Sequence, residues 1–261
     1  MSRLSFLLAV LTACSSPKPL PATDSDAAPD ASACTALGPC AWLDGYQRHI
    51  VGALAGGEDI TPGVRLTHRA SVAERNATRQ FLVDELAALG FTPQMHGYTS
   101  GSRVGANVLA TLDATGGTGG TIIVGAHFDS VPAGPGAADN ATGVAIVLAA
   151  ARYLRALPER RHPVVFAFFD QEELGLVGSR EYVKTLSAAD LAGVHVFDML
   201  SFDGDGDGVV ELWSPSPSLR VAYEAHAAAA GTPISAVEFQ YSDHQAFLEA
   251  GIAATGVGEE F

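Results

Sequence analysis

Basic residues are scarce in this sequence, which has 15 Lys and Arg residues against 29 Asp and Glu residues and a formal net charge of −14. Because nucleic-acid binding needs a clustered positive surface, this balance argues against nucleic acid as a partner. Cysteine is also scarce, with three residues. A structural zinc site on Cys34 and Cys40 is not expected, because no further Cys follows them and no His falls at the usual spacing. The sequence has no G-x-S-x-G motif, the turn that carries the nucleophile of many serine hydrolases. Hydrophobic residues (48%) and charged residues (17%) nevertheless occur in the proportions of a folded domain.

The N-terminus lacks a hydrophobic run long enough to span a bilayer as a permanent helix. Arg3 precedes the short apolar run Leu4–Leu11, and this pattern predicts an export signal over residues 1–13. The run ends in LTAC at residues 11–14, which resembles the bacterial lipobox, where the cysteine is acylated and becomes the first mature residue. An ordinary signal peptide is the alternative. We therefore expect an exported protein of the cell envelope, anchored by lipid at Cys14 or else secreted.

Residues 14–33 contain four prolines, several Asp, Ala and Ser residues, and no aromatic residue. Such a stretch buries too little apolar surface to offset its ordering entropy, so we expect a disordered tether. Cys34 and Cys40 follow it, and an exported location permits a disulfide between them, with two free thiols as the alternative. The length of residues 34–261 suits one large domain.

Hydrophobic periodicity predicts alternating helices and strands in this domain. Helices are expected at Ala41–Leu54, Ser71–Leu89, Asn140–Ala156, Leu176–Leu186, Leu219–Ala230 and Asp243–Ala250. Strands are expected at Thr92–Tyr98, Asn107–Leu112, Thr121–Ala126, Pro163–Phe169, Val194–Phe197, Val209–Trp213 and Ala253–Val257. Because several strands are apolar on both faces and alternate with helices, the pattern indicates an α/β fold whose sheet is covered on both sides.

Chemically active side chains follow the ends of these strands. They are His127 and Asp129, then Asp139, then Glu172 and Glu173, then Asp198, and finally Asp243 and His244. Taken singly, each has a simpler explanation: a histidine at a strand end is usually structural, and Asp139 suits a helix N-cap. Together they fit the rule that open α/β sheets bind ligands at the carboxyl ends of their strands. Mixed histidine and carboxylate ligands favour zinc or another first-row divalent metal.

Five short motifs occur in a set order: GAHFDS, PGAADNATG, EELGLVGS, DM and SDH. The set resembles metallopeptidase family 28, the co-catalytic di-zinc aminopeptidases of the bacterial leucyl aminopeptidase type, over about residues 34–261. The resemblance implies a three-layer zinc-exopeptidase (phosphorylase/hydrolase-like) fold with a mixed, mostly parallel central sheet and helices on both faces. It also implies hydrolysis of the N-terminal bonds of peptides or proteins.

The resemblance further implies a role for each matching residue. Asp139 would bridge two Zn²⁺ ions, with His127 and Asp198 completing one site and Glu173 and His244 the other. Glu172 would be the general base that takes a proton from a metal-bridging water, and Asp129 would orient His127. The Asp139–Asn140 peptide bond is expected to be cis.

Two departures from the family pattern affect these expectations. Ala138 stands where the family often has Asp, a change that alters the surroundings of the metals rather than their ligands. The chain ends just after the last strand, where family members usually continue, so we expect the domain to be incomplete at its C-terminus. A glutaminyl-cyclase-like transferase with one zinc and a non-catalytic binding module on the same scaffold remain alternatives.

An acidic loop, Asp203–Asp207, has Asp at alternate positions followed by Gly, as in the first half of a calcium-binding loop. Asp203, Asp205 and Asp207 are therefore candidate Ca²⁺ ligands. The final Glu of an EF-hand loop is missing, because Ser214 occupies that place. A plain acidic turn remains the alternative.

Overall fold

A computed structural model of the chain describes residues 40–117, 119–201 and 203–259. The predicted export signal, the lipidated Cys14, the tether and Cys34 lie outside the described residues. Cys40 takes part in a disulfide bond. Within the described ranges, no helix combines the length and the apolar character needed to cross a membrane.

Helix boundaries follow local capping signals. The second helix starts with a capping box, in which Ser71 accepts a hydrogen bond from the Glu74 backbone and Glu74 bonds back to Ser71. It ends at Ala88, and Gly90 follows its C-cap Leu89 with a φ of 79°, which glycine adopts at little cost. The helices are α1 (Leu43–Leu54), α2 (Val72–Ala88), α3 (Gly143–Ala156), α4 (Val177–Val183), α5 (Pro217–Ala230) and α6 (His244–Glu249).

The described strands form one eight-stranded sheet. They are β1 (Gln94–Ser100), β2 (Arg103–Leu112), β3 (Thr121–His127), β4 (Val164–Phe169), β5 (Leu191–Phe197), β6 (Val210–Trp213), β7 (Ile234–Val237) and β8 (Ala254–Gly258). Their order is β1-β2-β4-β3-β5-β8-β6-β7. The four central strands β4, β3, β5 and β8 are parallel, so their carboxyl ends share one edge. The pairs β1–β2, β2–β4 and β6–β8 are antiparallel.

Apolar side chains cover both faces of this sheet. One core joins the sheet to α1, α2, α3 and α5 and includes the fully buried Leu54, Leu82, Val147 and Tyr223. The other joins it to α4 and α6 through residues such as Tyr182 and Phe247. Continuous apolar strands therefore pack between two helical layers, which confirms the expected α/β fold with a mixed, mostly parallel sheet.

The structure differs from the sequence prediction at several element boundaries, including those of α3 and β2, and in one further strand. Helix α3 begins at Gly143 rather than Asn140, because residues Ala137–Thr142 form a separate irregular turn with non-helical backbone at Asp139 and Asn140. The peptide bond between these two residues is cis, as expected. Strand β2 starts four residues earlier than predicted, at Arg103. Strand β7, Ile234–Val237, was not predicted from the sequence.

Candidate metal centre

Three predicted ligands converge where β3 and β5 end. His127 is the last residue of β3, and its side chain is almost completely buried. Its Nε2 atom lies 3.1 Å from Oδ1 of Asp139, on the irregular turn, and 3.4 Å from Oδ1 of Asp198, which follows β5. The structure therefore brings together one imidazole and two carboxylates from segments far apart in sequence.

The donor chemistry of this cluster fits a divalent cation. Oδ1 of Asp198 is buried and accepts no hydrogen bond within the described part of the chain, and buried oxygens of this kind need a partner. Burial opposes protonation of His127, but the carboxylates around it, Glu172 first, raise the pKa of its imidazole well above the usual value. A nitrogen and two oxygens facing one point form a mixed donor set suited to zinc, whereas magnesium and calcium prefer oxygen alone.

Asp129 links His127 to the loop after β4. Its Oδ1 atom accepts a hydrogen bond from the Glu172 backbone at 3.0 Å and lies 3.5 Å from Nδ1 of His127. Its Oδ2 atom accepts from the Glu173 backbone at 3.3 Å. One carboxylate thus lies between the imidazole and the backbone N–H groups of both glutamates, the place expected for an orienting residue.

The two adjacent glutamates lie in different environments. Glu172 is nearly buried, its Oε2 atom is 3.9 Å from Nε2 of His127, and burial raises the pKa of its carboxyl to about 9. Glu173 is more exposed, its Oε1 atom accepts a hydrogen bond from the Val131 backbone at 3.0 Å, and burial raises its pKa to about 7. A nearby cation would lower both pKa values by favouring the carboxylates.

His244 is not among the three converging ligands, and its role as a metal ligand stays a prediction. Its ring is buried at the start of α6, and Nε2 lies 2.9 Å from the carbonyl oxygen of Phe239. The residue that instead reaches the cluster from this segment is Ser242, whose hydroxyl donates to Oδ2 of Asp198 at 2.8 Å. Sequence reasoning gave Ser242 no role, because a serine beside Asp and His carries no pattern of its own.

An open pocket of about 360 Å³ lies over the cluster. Its acidic side consists of Asp139, Glu172, Glu173 and Asp198, and its apolar side of Met199, Trp213, Phe239 and Tyr241. The rings of Trp213 and Phe239 lie 4.4 Å apart, and those of Phe239 and Tyr241 lie 5.4 Å apart. We call Trp213, Phe239 and Tyr241 the aromatic wall. The sequence motifs did not identify it, because its members come from different segments and match no spacing rule.

A buried arginine joins the loops that carry the ligands. Arg69 is inaccessible to solvent and donates to the carbonyl oxygens of Leu54, Phe128, Pro135 and Gly136 at 2.7–2.8 Å. Phe128 adjoins His127, and Gly136 precedes the turn with Asp139. Burial lowers the pKa of Arg69 to about 10, whereas the nearby acids, Asp129 most strongly, act to raise it. Arg69 therefore remains a fixed cation beside the cluster.

A buried ion cluster holds the glutamate loop. Asp170 lies two residues before Glu172, and its carboxylate contacts Nε of Arg75 at 2.8 Å and Nη1 of Arg79 at 2.7 Å. Its carbonyl oxygen accepts from the Tyr98 hydroxyl at 2.8 Å. Helix α2 and strand β1 thus anchor the loop that presents Glu172.

The acidic loop after β5 is a separate group. Oxygens of Asp203, Asp205 and Asp207 lie within 4.8 Å of one another, and Asp205 and Asp207 are exposed. Asp205 accepts from the Asp207 backbone and Asp207 from the Val209 backbone. Calcium binding here stays a prediction, since this geometry also suits an acidic turn.

Comparison with known proteins agrees with the geometry. Residues 107–261 match the family described as peptidase family M28. The probable lipoprotein aminopeptidase LpqL of Mycobacterium tuberculosis is 37% identical over 169 residues, which are 58% of this chain and 34% of that protein. The chain spans less than half the length of the curated relatives it matches.

Solved structures show the same fold. BSAP, a zinc aminopeptidase from Bacillus subtilis, is 28% identical with a TM-score of 0.56, over 60% of this chain and 41% of that one. A glutaminyl cyclase from Porphyromonas gingivalis is 20% identical with a TM-score of 0.63, over 82% of this chain and 83% of that one, a likeness of fold alone. Since the family match covers more than half of the sequence and includes the whole acidic cluster, the chain belongs to peptidase family M28.

Proposed function

We propose that this protein is a zinc-dependent aminopeptidase, a hydrolase that removes residues from the N-termini of peptides or proteins. The observation that carries the proposal is the convergence of His127, Asp139 and Asp198 beside Glu172 in an open pocket. LpqL and BSAP, which are 37% and 28% identical to this chain, are both named as aminopeptidases, and this supports the same reaction.

His127, Asp139 and Asp198 are the proposed ligands of one zinc ion. Asp139 and Glu173 both line the acidic side of the pocket, and the charge of Asp139 contributes to the raised pKa of Glu173. Asp139 and Glu173 would therefore hold a second zinc ion, which would share Asp139 with the first. His244 is left out of this set, because its nearest partner is the Phe239 carbonyl.

Bound zinc supplies Lewis acidity, which polarises a carbonyl oxygen and makes water more acidic. Glu172 is the proposed general base: it takes a proton from the attacking water and returns it to the leaving amine. Asp129 keeps Glu172 in place through the backbone hydrogen bond at 3.0 Å and steadies the His127 imidazole. Ser242 holds Asp198 from the opposite side.

The proposed substrate enters with its N-terminal residue at the pocket. Carboxylates on one side attract a free α-amino group, whereas the aromatic wall and Met199 on the other side offer contact to an apolar side chain. We therefore expect Leu or Phe to be preferred over Asp or Glu at the substrate N-terminus. The name of LpqL supports a location at the cell envelope with lipid at Cys14.

The test combines metal content with hydrolysis of aminoacyl-anilides. The proposal expects two zinc ions per chain and release of aniline that chelators abolish. Zinc without anilide hydrolysis contradicts the aminopeptidase. One zinc with cyclisation of N-terminal glutamine would favour the glutaminyl-cyclase alternative, and binding of peptides without turnover would favour the binding module.

The role of Glu172 is tested with Glu172→Gln. This change keeps the size of the side chain and the backbone bond to Asp129, so zinc content should be unchanged while kcat falls by about 10²- to 10⁴-fold. Glu173→Gln is the matched control, since it removes a proposed ligand and should lower zinc content. Undiminished turnover in Glu172→Gln would exclude Glu172 as the base.

A further inference from the structure

His244 is held by its surroundings in one orientation. Its Nε2 atom lies 2.9 Å from the Phe239 carbonyl oxygen, and because a carbonyl only accepts hydrogen bonds, Nε2 must carry the proton. Nδ1 is buried and has no hydrogen-bond partner in the described part of the chain. Burial lowers the pKa of His244, consistent with a neutral ring.

Strand β8 packs against the Nδ1 side of the His244 ring. A Cβ atom at Gly256 of β8 would lie 2.9 Å from Nδ1 of His244 and 2.9 Å from Cβ of Trp213. Real Cβ atoms do not approach other atoms so closely, so glycine is needed at this position. The imidazole therefore fits between the β8 backbone and the Phe239 carbonyl, with its ring centre 6.3 Å from that of Trp213.

His244 thus touches the aromatic wall from behind. Its hydrogen bond holds the backbone of Phe239 together with two bonds of the Ser214 hydroxyl, which donates to the Phe239 carbonyl at 3.0 Å and accepts from its N–H at 3.1 Å. The Phe239 ring packs at 4.4 Å against Trp213 and at 5.4 Å against Tyr241. All three rings line the pocket above the acidic cluster. A change at His244 would therefore shift the apolar side of the pocket and leave the ligands on β3 and β5 in place.

We propose that His244 is a positioning residue for the aromatic wall, which determines how the pocket accepts the N-terminal side chain of a substrate, and that it is not a zinc ligand. The effect on substrates rests on the proposed aminopeptidase function. The effect of His244 on the aromatic wall and its lack of a role in binding zinc do not depend on that function.

Two substitutions distinguish a role in positioning the aromatic wall from a role in binding zinc. His244→Gln retains an amide donor that reaches towards the Phe239 carbonyl but is a poor zinc ligand, whereas His244→Leu removes the donor. As a positioning residue, His244 predicts full zinc content in both variants. In His244→Leu, KM for leucyl- and phenylalanyl-anilides should rise about five- to tenfold, because one buried hydrogen bond is lost. KM for alanyl-anilide and the values of kcat should change less. His244→Gln should restore KM towards the wild-type value.

A matched control is His195→Leu. His195 is also a buried histidine beside an aromatic residue, with Nδ1 3.1 Å from the Tyr223 hydroxyl, and it lies outside the pocket. This variant should retain the wild-type KM pattern. If His195→Leu and His244→Leu change KM equally, the effect is general destabilisation and the proposal is wrong.

A second measurement does not depend on turnover. The chain has two tryptophans, so a Trp42→Phe background isolates the fluorescence of Trp213. His244→Leu should shift this emission, and His195→Leu should not. Loss of one zinc per chain in His244→Gln, or unchanged Trp213 emission in His244→Leu, would overturn the proposal. If the wild type hydrolyses no anilide, the aminopeptidase proposal fails, and zinc content with Trp213 emission still decides the role of His244.

Discussion

The ion cluster around Asp170 leads to a sharp stability prediction. The Asp170 side chain is completely buried, and the side chains of its partners Arg75 and Arg79 are 6% and 13% exposed. Asp170→Asn keeps the shape of the side chain but removes its charge. Two guanidinium groups would then lie in a dry environment without a counter-charge, since the structure places the Asp170 carboxylate between them.

Burial determines the size of the effect. Removing one partner of a buried ion pair typically costs about 3–5 kcal/mol, because an uncompensated charge stays behind. Asp44 and Arg48 form an exposed pair with a similar separation, 3.0 Å, and side chains 79% and 78% exposed. Breaking such a pair costs little, because water already screens both charges. Because the distances nearly match, the two pairs differ mainly in their access to water.

Urea denaturation of Asp170→Asn and Asp44→Asn tests this reasoning. The free energy of unfolding should fall by about 3–5 kcal/mol in the first variant and should change far less in the second. Asp170→Asn should also lower kcat, because the loop with Glu172 loses its anchor to α2. Equal losses in the two variants, or a loss below about 1 kcal/mol in Asp170→Asn, would refute the argument from burial.

Two further predictions concern acid stability and zinc affinity. Burial lowers the pKa of His195 to about 4, below the value of about 6.5 in the unfolded chain. The free energy of unfolding should therefore be highest above pH 6.5 and fall by about 3 kcal/mol as the pH falls towards 4. His195→Leu should flatten this decline in urea denaturation curves measured between pH 4 and 7, and an unchanged slope would contradict it. Ser242→Ala removes the donor to Oδ2 of Asp198, so chelator competition should show zinc binding weakened about tenfold. Equal affinities would show that this hydrogen bond does not tune the site.

Local signals accounted for most of the fold. Ser71 and Glu74 mark the start of α2, and the apolar run Val164–Phe169 is a buried central strand, as its composition indicates. The irregular turn before α3 was harder to predict, because its alanines and Asn140 suit a helix equally well. Its conformation depends instead on tertiary contacts, such as the bond from the Asn140 amide to the Phe197 carbonyl.

The candidate site was predictable only where ligand types follow strand ends. His127, Asp139 and Asp198 met this condition and converge. His244 met it as well, yet tertiary packing turns its ring towards Phe239. Arg69 gave no signal, since nothing in a sequence distinguishes an arginine buried among carbonyl groups from one on the surface.

Arg69 and Arg79 also show that residues before the family match are needed to hold the candidate site. The family match starts at residue 107, but Arg69 bonds to Gly136 across 67 positions and Arg79 reaches Asp170 across 91. Leu54 in α1 supplies one of the carbonyl groups that orient Arg69. A chain that starts at residue 107 would therefore retain every proposed ligand. It would lose Arg69 and Arg79, whose contacts position the loops that carry these ligands. Truncation boundaries for expression or domain grafting should accordingly lie upstream of α1.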